Sequence, residues 1–115
     1  MAIECVVGAD GGNLVVTLSG RLGLREVAPL RNRLLKCLAE QPEAVLIDLA
    51  CFSVAEPPAL AVFTAVARQA ARWPGIPVVF CAPSPATRTL MNRGAFHRLP
   101  MFRSVSAARD HVDTD

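Results

Sequence analysis

No two of the four cysteines stand close together: Cys5, Cys37, Cys51 and Cys81 are spread along the chain. Zinc sites and dithiol redox centres use a close pair, so no metal site is expected. Three of the thiols sit in apolar runs, beside Val6 and Val7, among Leu34, Leu35 and Leu38, and after Val78 to Phe80. There a free thiol acts as a small hydrophobe. No window reaches the roughly 18 consecutive apolar residues of a membrane span, and Met1 to Cys5 lack the basic and apolar regions of a secretory signal. Together with unpaired cysteines this predicts a protein of the reducing cytoplasm that does not insert into a membrane.

An excess of one charge is missing too. Twelve basic residues face ten acidic ones, for a net charge of +2. The densest basic group, Arg31, Arg33 and Lys36 with Arg25 upstream, is spread around a predicted helix and reads as solvated surface, not as a nucleic-acid footprint. Nine prolines and seven glycines are too few for a low-complexity chain, and 52% apolar content is too high for disorder. One domain over residues 1–115, with a core at about 3–112, is expected.

Groups for catalysis are scarce. Of the two histidines, His97 follows Gly94-Ala95-Phe96 in a predicted loop, and His111 stands beside Asp110 and Asp113 in a predicted terminal helix. Both read as surface imidazoles. No Gly-x-Ser-x-Gly elbow occurs, and Ser19-Gly20 reads as a strand exit. The cluster Gly8 to Gly12 belongs to a hairpin, and no buried strand runs into a glycine-rich turn, so the loop that cradles a nucleotide is absent. The expectation is a protein with no cofactor and no enzymatic activity.

What the chain does contain is hydrophobic periodicity. Ile3 to Val7 and Leu14 to Leu18 predict two strands joined by a long glycine-rich tip, an antiparallel hairpin. Val27, Leu30, Leu34, Leu35 and Leu38 recur at spacings of three and four and predict a helix from about Ala28 to Glu40, with Pro29 tolerated in its first turn. Ala44 to Leu49 and Val78 to Cys81 are apolar without alternation, as strands of a parallel sheet covered on both faces are. Leu60, Phe63, Val66, Ala67 and Ala70 predict a second helix, closed by Trp73-Pro74-Gly75. A third helix runs from Pro85 to Arg93 with Gly94 as its stop. Leu99 to Phe102 is a weak strand, and Ser104 opens a last helix carrying Val105, Ala108 and Val112, before a frayed tail from Asp113. The order ββαβαβαβα predicts an α/β domain: a single mixed, mostly parallel sheet with an N-terminal antiparallel hairpin and helices packed on it.

The informative connection joins the first buried strand to the second helix. In Asp48 to Leu60, Phe52-Ser53-Val54-Ala55 is expected to lie on a loop with apolar groups free for a partner. Two prolines fix the backbone after it, so Glu56 and Pro57 should be extended and the helix should begin at Pro58. Ser53 and Glu56 have the spacing of a capping box, but the box would set Pro57 where an amide donor is needed.

The chain resembles the STAS domain, the module of bacterial anti-sigma-factor antagonists, from about Leu14 to Val112. The pieces that carry the resemblance are Leu14 to Leu22, similar to the family's second strand and its Gly-x-Leu/Ile-Asp exit, and Val45-Leu46-Ile47-Asp48-Leu49, similar to its central strand. Leu60 to Phe63 resembles the start of its second helix, and Leu90 to Phe96 the end of its third. The resemblance implies a loop reading Asp-Ser-Ser/Thr-Gly-Leu before the second helix, with a hydroxyl that an anti-sigma-factor kinase phosphorylates to switch binding off. Here that run is Glu56-Pro57-Pro58-Ala59-Leu60, and both hydroxyl positions are proline. The aspartate of the strand exit is likewise replaced, by Gly23.

The resulting expectation is an interaction module that binds an anti-sigma-factor kinase-like protein through Ser53, Val54, Glu56, Pro57 and Pro58. The phosphorylation motif at Glu56, Pro57, Pro58 and Ala59 is degenerate. A rigid loop loses less entropy when a partner docks, so the prolines would hold a binding-competent shape. Two alternatives stand beside it: a cytoplasmic STAS accessory subunit of a transport system, and a sensor holding a nucleotide or lipid at Ser84, Thr87 and Arg88. Ser84 or Thr87 would otherwise serve as an ordinary helix cap. No oligomeric state follows from the sequence.

Overall fold

The computed structural model describes residues 3–72, 75–93 and 99–113. Five strands, β1 (Glu4–Asp10), β2 (Asn13–Leu22), β3 (Val45–Val54), β4 (Val78–Cys81) and β5 (Met101–Phe102), form one sheet in the order β1-β2-β3-β4-β5. The β1/β2 pair is antiparallel and every other pair is parallel. Helices α1 (Val27–Ala39), α2 (Ala61–Arg72) and α3 (Pro85–Met91) make the crossovers, and α4 (Val105–Asp113) follows β5. This is the mixed, mostly parallel sheet that the alternation of apolar runs and amphipathic stretches predicts.

The two faces are covered unequally. On one, Leu30, Leu34 and Leu38 of α1, Phe63 and Val66 of α2 and Met91 of α3 pack on Val16, Leu18, Val45, Ile47, Leu49 and Phe80. Among the described residues the other face carries α4 alone, whose Ala108 closes over Leu46, Val79 and Cys81. Phe52, Phe63 and Phe80 form a row of tilted rings with centroids 5.6 and 4.9 Å apart, which fixes α2 against the ends of β3 and β4. Each such pair is worth about 0.5–1.5 kcal/mol beyond its buried area.

Three boundaries differ from the sequence expectation. The hairpin tip is short: β1 runs on to Asp10, which pairs with Asn13, and Gly11 at φ +62° turns the chain. As an exposed edge strand, β1 needs no apolar alternation, so Gly8, Ala9 and Asp10 extend it. β2 does not stop at Ser19-Gly20 but continues to Leu22, with Gly20 at φ +108°. β3 likewise passes Leu49 and ends at Val54, so Phe52 is a buried strand residue and not part of a free loop.

A β-bulge explains both extensions. Thr17 pairs with Asp48 but Ser19 pairs with Cys51, leaving Leu49 and Ala50 opposite one residue of β2. The Asp48 carboxylate accepts the Ala50 amide at 3.0 Å, which supplies a partner where the ladder is interrupted. Beyond the bulge the alternation resumes, with Phe52 and Val54 turned to the core and Cys51 and Ser53 exposed.

The other helices stand close to expectation. α1 follows a short 3-10 turn at Leu24–Glu26, α3 ends at Met91, and β5 is only two residues long. Ser104 caps α4 by accepting the Ala107 amide at 3.0 Å. The helix stops expected at Trp73-Pro74 and Gly94, together with His97 and residues 114 and 115 of the tail, lie outside the described residues.

Candidate functional site

The C-terminal ends of β2 and β3 lie side by side, Leu22 opposite Val54, and the chain leaves both in one corner. Ala55 and Glu56 donate their amides to the Leu22 carbonyl at 2.8 and 3.2 Å. The Glu56 carboxylate then reaches across and accepts the Leu24 amide at 3.1 Å, while Glu26 accepts the Gly23 amide at 2.9 Å. A Cβ at position 23 would lie 2.9 Å from the Glu56 carboxylate and 3.0 Å from that of Glu26. Glycine there makes room for two glutamates, where the sequence resemblance leads one to expect a single aspartate.

Glu56 is extended, at φ −131° and ψ 106°, as a residue before proline should be. Pro57 is not extended, however. It opens a 3-10 turn, Pro57–Leu60, that precedes α2, one residue earlier than the expected start. The first bond of that turn runs from the Ala59 amide to the Glu56 carbonyl at 2.9 Å, so neither proline is asked for a donor. No capping box joins Ser53 to Glu56: nothing caps the turn with a side chain, and the Glu56 carboxylate is turned to the β2–α1 connection.

Of the residues singled out by sequence, Glu56, Pro57 and Pro58 stand together and exposed. Ala59 is buried beneath them. Val54 is half-buried against the helical layer, whereas Ser53 is exposed and, by strand alternation, on the opposite face of the sheet. The corner therefore brings together 54 and 56–58 but not Ser53. Sequence reasoning missed Leu24, which is 54% exposed and tied by its amide to Glu56. Its signal was a leucine directly after Gly23, in a connection otherwise polar.

The arrangement has little capacity for an anion. Pro57 and Pro58 remove the first amides that a helix start offers a phosphate. At the β4–α3 connection, Ser84 caps α3 by accepting the Thr87 amide at 3.2 Å and donates to the Thr87 hydroxyl at 3.1 Å. Both hydroxyls serve the cap, and Thr87 is buried. Nothing in that geometry favours a nucleotide or lipid site.

The thiols follow burial. Cys37 and Cys81 are buried, and removal from water pushes both above the ordinary thiol value, Cys81 to about 12 with the neighbouring Asp48 adding to the rise. Burial also pushes Cys5 up, against the pull of Arg33. Cys51 is exposed on β3. Among the described residues no group of histidine, cysteine or carboxylate side chains is placed to hold a metal ion. His111 is exposed and its ring lies 4.9 Å from that of Phe102. No described helix is long and apolar enough to cross a membrane.

The STAS domain family model matches residues 5–108. The chain belongs to the STAS domain family. Its fold is similar to that of an anti-sigma factor antagonist from Mycobacterium paratuberculosis, at 22% identity and TM-score 0.84, covering 96% of this chain and 94% of that one. The anti-sigma factor antagonist SpoIIAA in its unphosphorylated form matches at 15% identity and TM-score 0.79, over 97% and 98% of the two chains. A serine-to-glutamate variant of RsbS from Moorella thermoacetica matches at 18% identity and TM-score 0.77, over 96% of each chain. No curated protein sequence matches significantly. At these identities the likeness to the solved structures is one of fold.

Proposed function

We propose that this STAS protein is a non-enzymatic docking module of the anti-sigma-factor-antagonist kind, working as one unit over about residues 3–112 in the cytoplasm. Its partner is an anti-sigma-factor kinase-like protein. Contact is made by Glu56, Pro57 and Pro58 with Val54 beneath them and Leu24 alongside, while Ser53, on the opposite face of the sheet, lies outside it. The observation that carries this reading is a corner held by hydrogen bonds to Leu22, Gly23 and Leu24 that presents two exposed prolines and no hydroxyl at the run Glu56–Ala59. Proline offers no oxygen to phosphorylate, and its fixed φ leaves little backbone freedom to lose on binding. The module is thus constitutively competent, without the covalent switch that the family resemblance implies.

The test pairs the purified protein with the anti-sigma-factor kinase of its own host and labelled ATP. The complex is expected to form and persist, with no phosphate on the STAS chain. Replacing both prolines, Pro57→Ser with Pro58→Ser, is expected to weaken the complex and make it ATP-sensitive. Stoichiometric label on Ser53 of the natural protein, or a double variant indistinguishable from it, would overturn the reading.

A further inference from the structure

Helices α1 and α2 together carry five cations, Arg31, Arg33, Lys36, Arg68 and Arg72, and not one carboxylate. A merely solvated helix pair interleaves both signs, as α4 does with Arg109 beside Asp110 and Asp113. The sequence reads the α1 cations as spread around the helix; in the fold they divide between two grooves.

The larger groove, about 780 Å³, lies between α1 and the edge strand β1. Its charge is partly answered from within the chain. Glu26 lines it, and Arg33 donates to the Cys5 carbonyl at 2.9 Å. The smaller, about 340 Å³, lies between α1 and α2 over a floor of Leu35, Ala65 and Val66, with Arg31, Arg68 and Arg72 around it. Among the described residues no acidic one lines it, and none of its three arginines forms an ion pair. Arg72 makes only a 3.3 Å bond to Gln69.

We propose that the α1/α2 groove docks an acidic amphipathic helix of the partner protein, a proposal that rests on the docking function above and extends it along α2. Ala61, Ala65, Arg68 and Arg72 recur at spacings of four, three and four and are all exposed, so they form one stripe. That stripe begins next to Pro58 and runs about 17 Å, three helical turns. At its start, two alanines let another backbone come close. Further on, arginines one turn apart match carboxylates one turn apart on the incoming helix. An apolar floor under three forked cations suits leucine and glutamate together. It suits a nucleic-acid backbone poorly, since phosphates would have nothing to place on Leu35 and Val66.

The probe is a fluorescein-labelled, stapled helical peptide with leucine and glutamate repeating along one face, set against the same peptide with lysine for glutamate. Anisotropy should report binding of the first only, weakening as salt rises. Shifts of backbone amide resonances should centre on Arg31, Leu35, Ala65, Arg68 and Arg72. Arg68→Glu with Arg72→Glu should weaken binding about tenfold or more while circular dichroism is unchanged; Arg31→Glu alone should weaken it less. Equal binding of both peptides, no binding of either, tighter binding of a short DNA duplex, or an unaltered charge-reversed variant overturns the proposal. The Pro57→Ser, Pro58→Ser variant separates the two readings. It should bind the acidic peptide as the natural protein does, whereas its complex with the kinase should suffer.

Discussion

Two crossovers leave the parallel strands of this sheet through proline, and they are closed in different ways. After β4, Ser84 stands before Pro85 and caps α3 with its own hydroxyl, three residues from the amide it serves. After β3, Glu56 stands before Pro57 and Pro58 but sends its carboxylate to Leu24, 32 residues away. The first closure is local and self-contained. The second is tertiary: it holds the β2–α1 turn and the β3–α2 turn as a single body and leaves two prolines uncovered. A connection that satisfies itself has no claim on a partner, whereas one built from two chain segments presents a composite surface.

The contrast can be broken most sharply at the local cap. Ser84→Ala removes the oxygen that accepts the Thr87 amide and leaves the buried Thr87 hydroxyl without its observed partner. A lost cap and an orphaned buried hydroxyl together should cost about 2 kcal/mol. Urea unfolding should show that loss at constant m-value, and the kinase complex should be unaffected per folded molecule. If the variant instead lost binding while keeping its stability, α3 would belong to the docking surface and the distinction between the two crossovers would fail.

The tertiary corner yields to a smaller change. Gly23→Ala brings a methyl against the carboxylates of Glu26 and Glu56, both at the ends of flexible side chains. They swing away, and the bonds to Gly23 and Leu24 go with them. Two partly exposed hydrogen bonds should cost about 1 kcal/mol in all, yet the effect on partner affinity should exceed what so small a destabilisation implies. Thermal unfolding and a titration against the kinase on the same preparation measure the two quantities together.

The difference between the crossovers also marks where sequence reasoning stopped. Features decided by neighbours in sequence were readable: the α1 periodicity, the β4 run, a cap at Ser84 or Thr87, Ser104 at the opening of the last helix, and the extended backbone of Glu56 before proline. The family resemblance drew attention to position 23. What could not be read depends on residues far apart. The extension of β3 to Val54 needs a bulge opposite Leu18 and a carboxylate at Asp48 to serve the Ala50 amide. The destination of the Glu56 side chain is set by where β2 ends, and the exposure of Leu24 by the same packing. Ser53 and Val54, adjacent in sequence, part to opposite faces once β3 is seen to include them. The charge of the α1/α2 groove was divided in the sequence between segments that only the fold unites.

The smallest expected effect separates architecture from mimicry at Glu56. A carboxylate beside the prolines invites the idea that it imitates a phosphate, although it carries only about half the charge of phosphoserine. Its observed work is to accept one amide proton through one oxygen, and glutamine offers the same oxygen at the same reach. Glu56→Gln should therefore shift stability by less than about 0.5 kcal/mol, within the ordinary scatter of surface substitutions, and leave kinase affinity unchanged at low and high salt alike. Glu56→Ala, which removes the oxygen, should resemble Gly23→Ala in weakening binding. A salt-dependent gain of affinity in the glutamine variant would mean that the carboxylate's charge holds the partner off as a phosphate would, and the corner would then be a partial imitation of the phosphorylated state instead of a clamp that keeps two prolines in place.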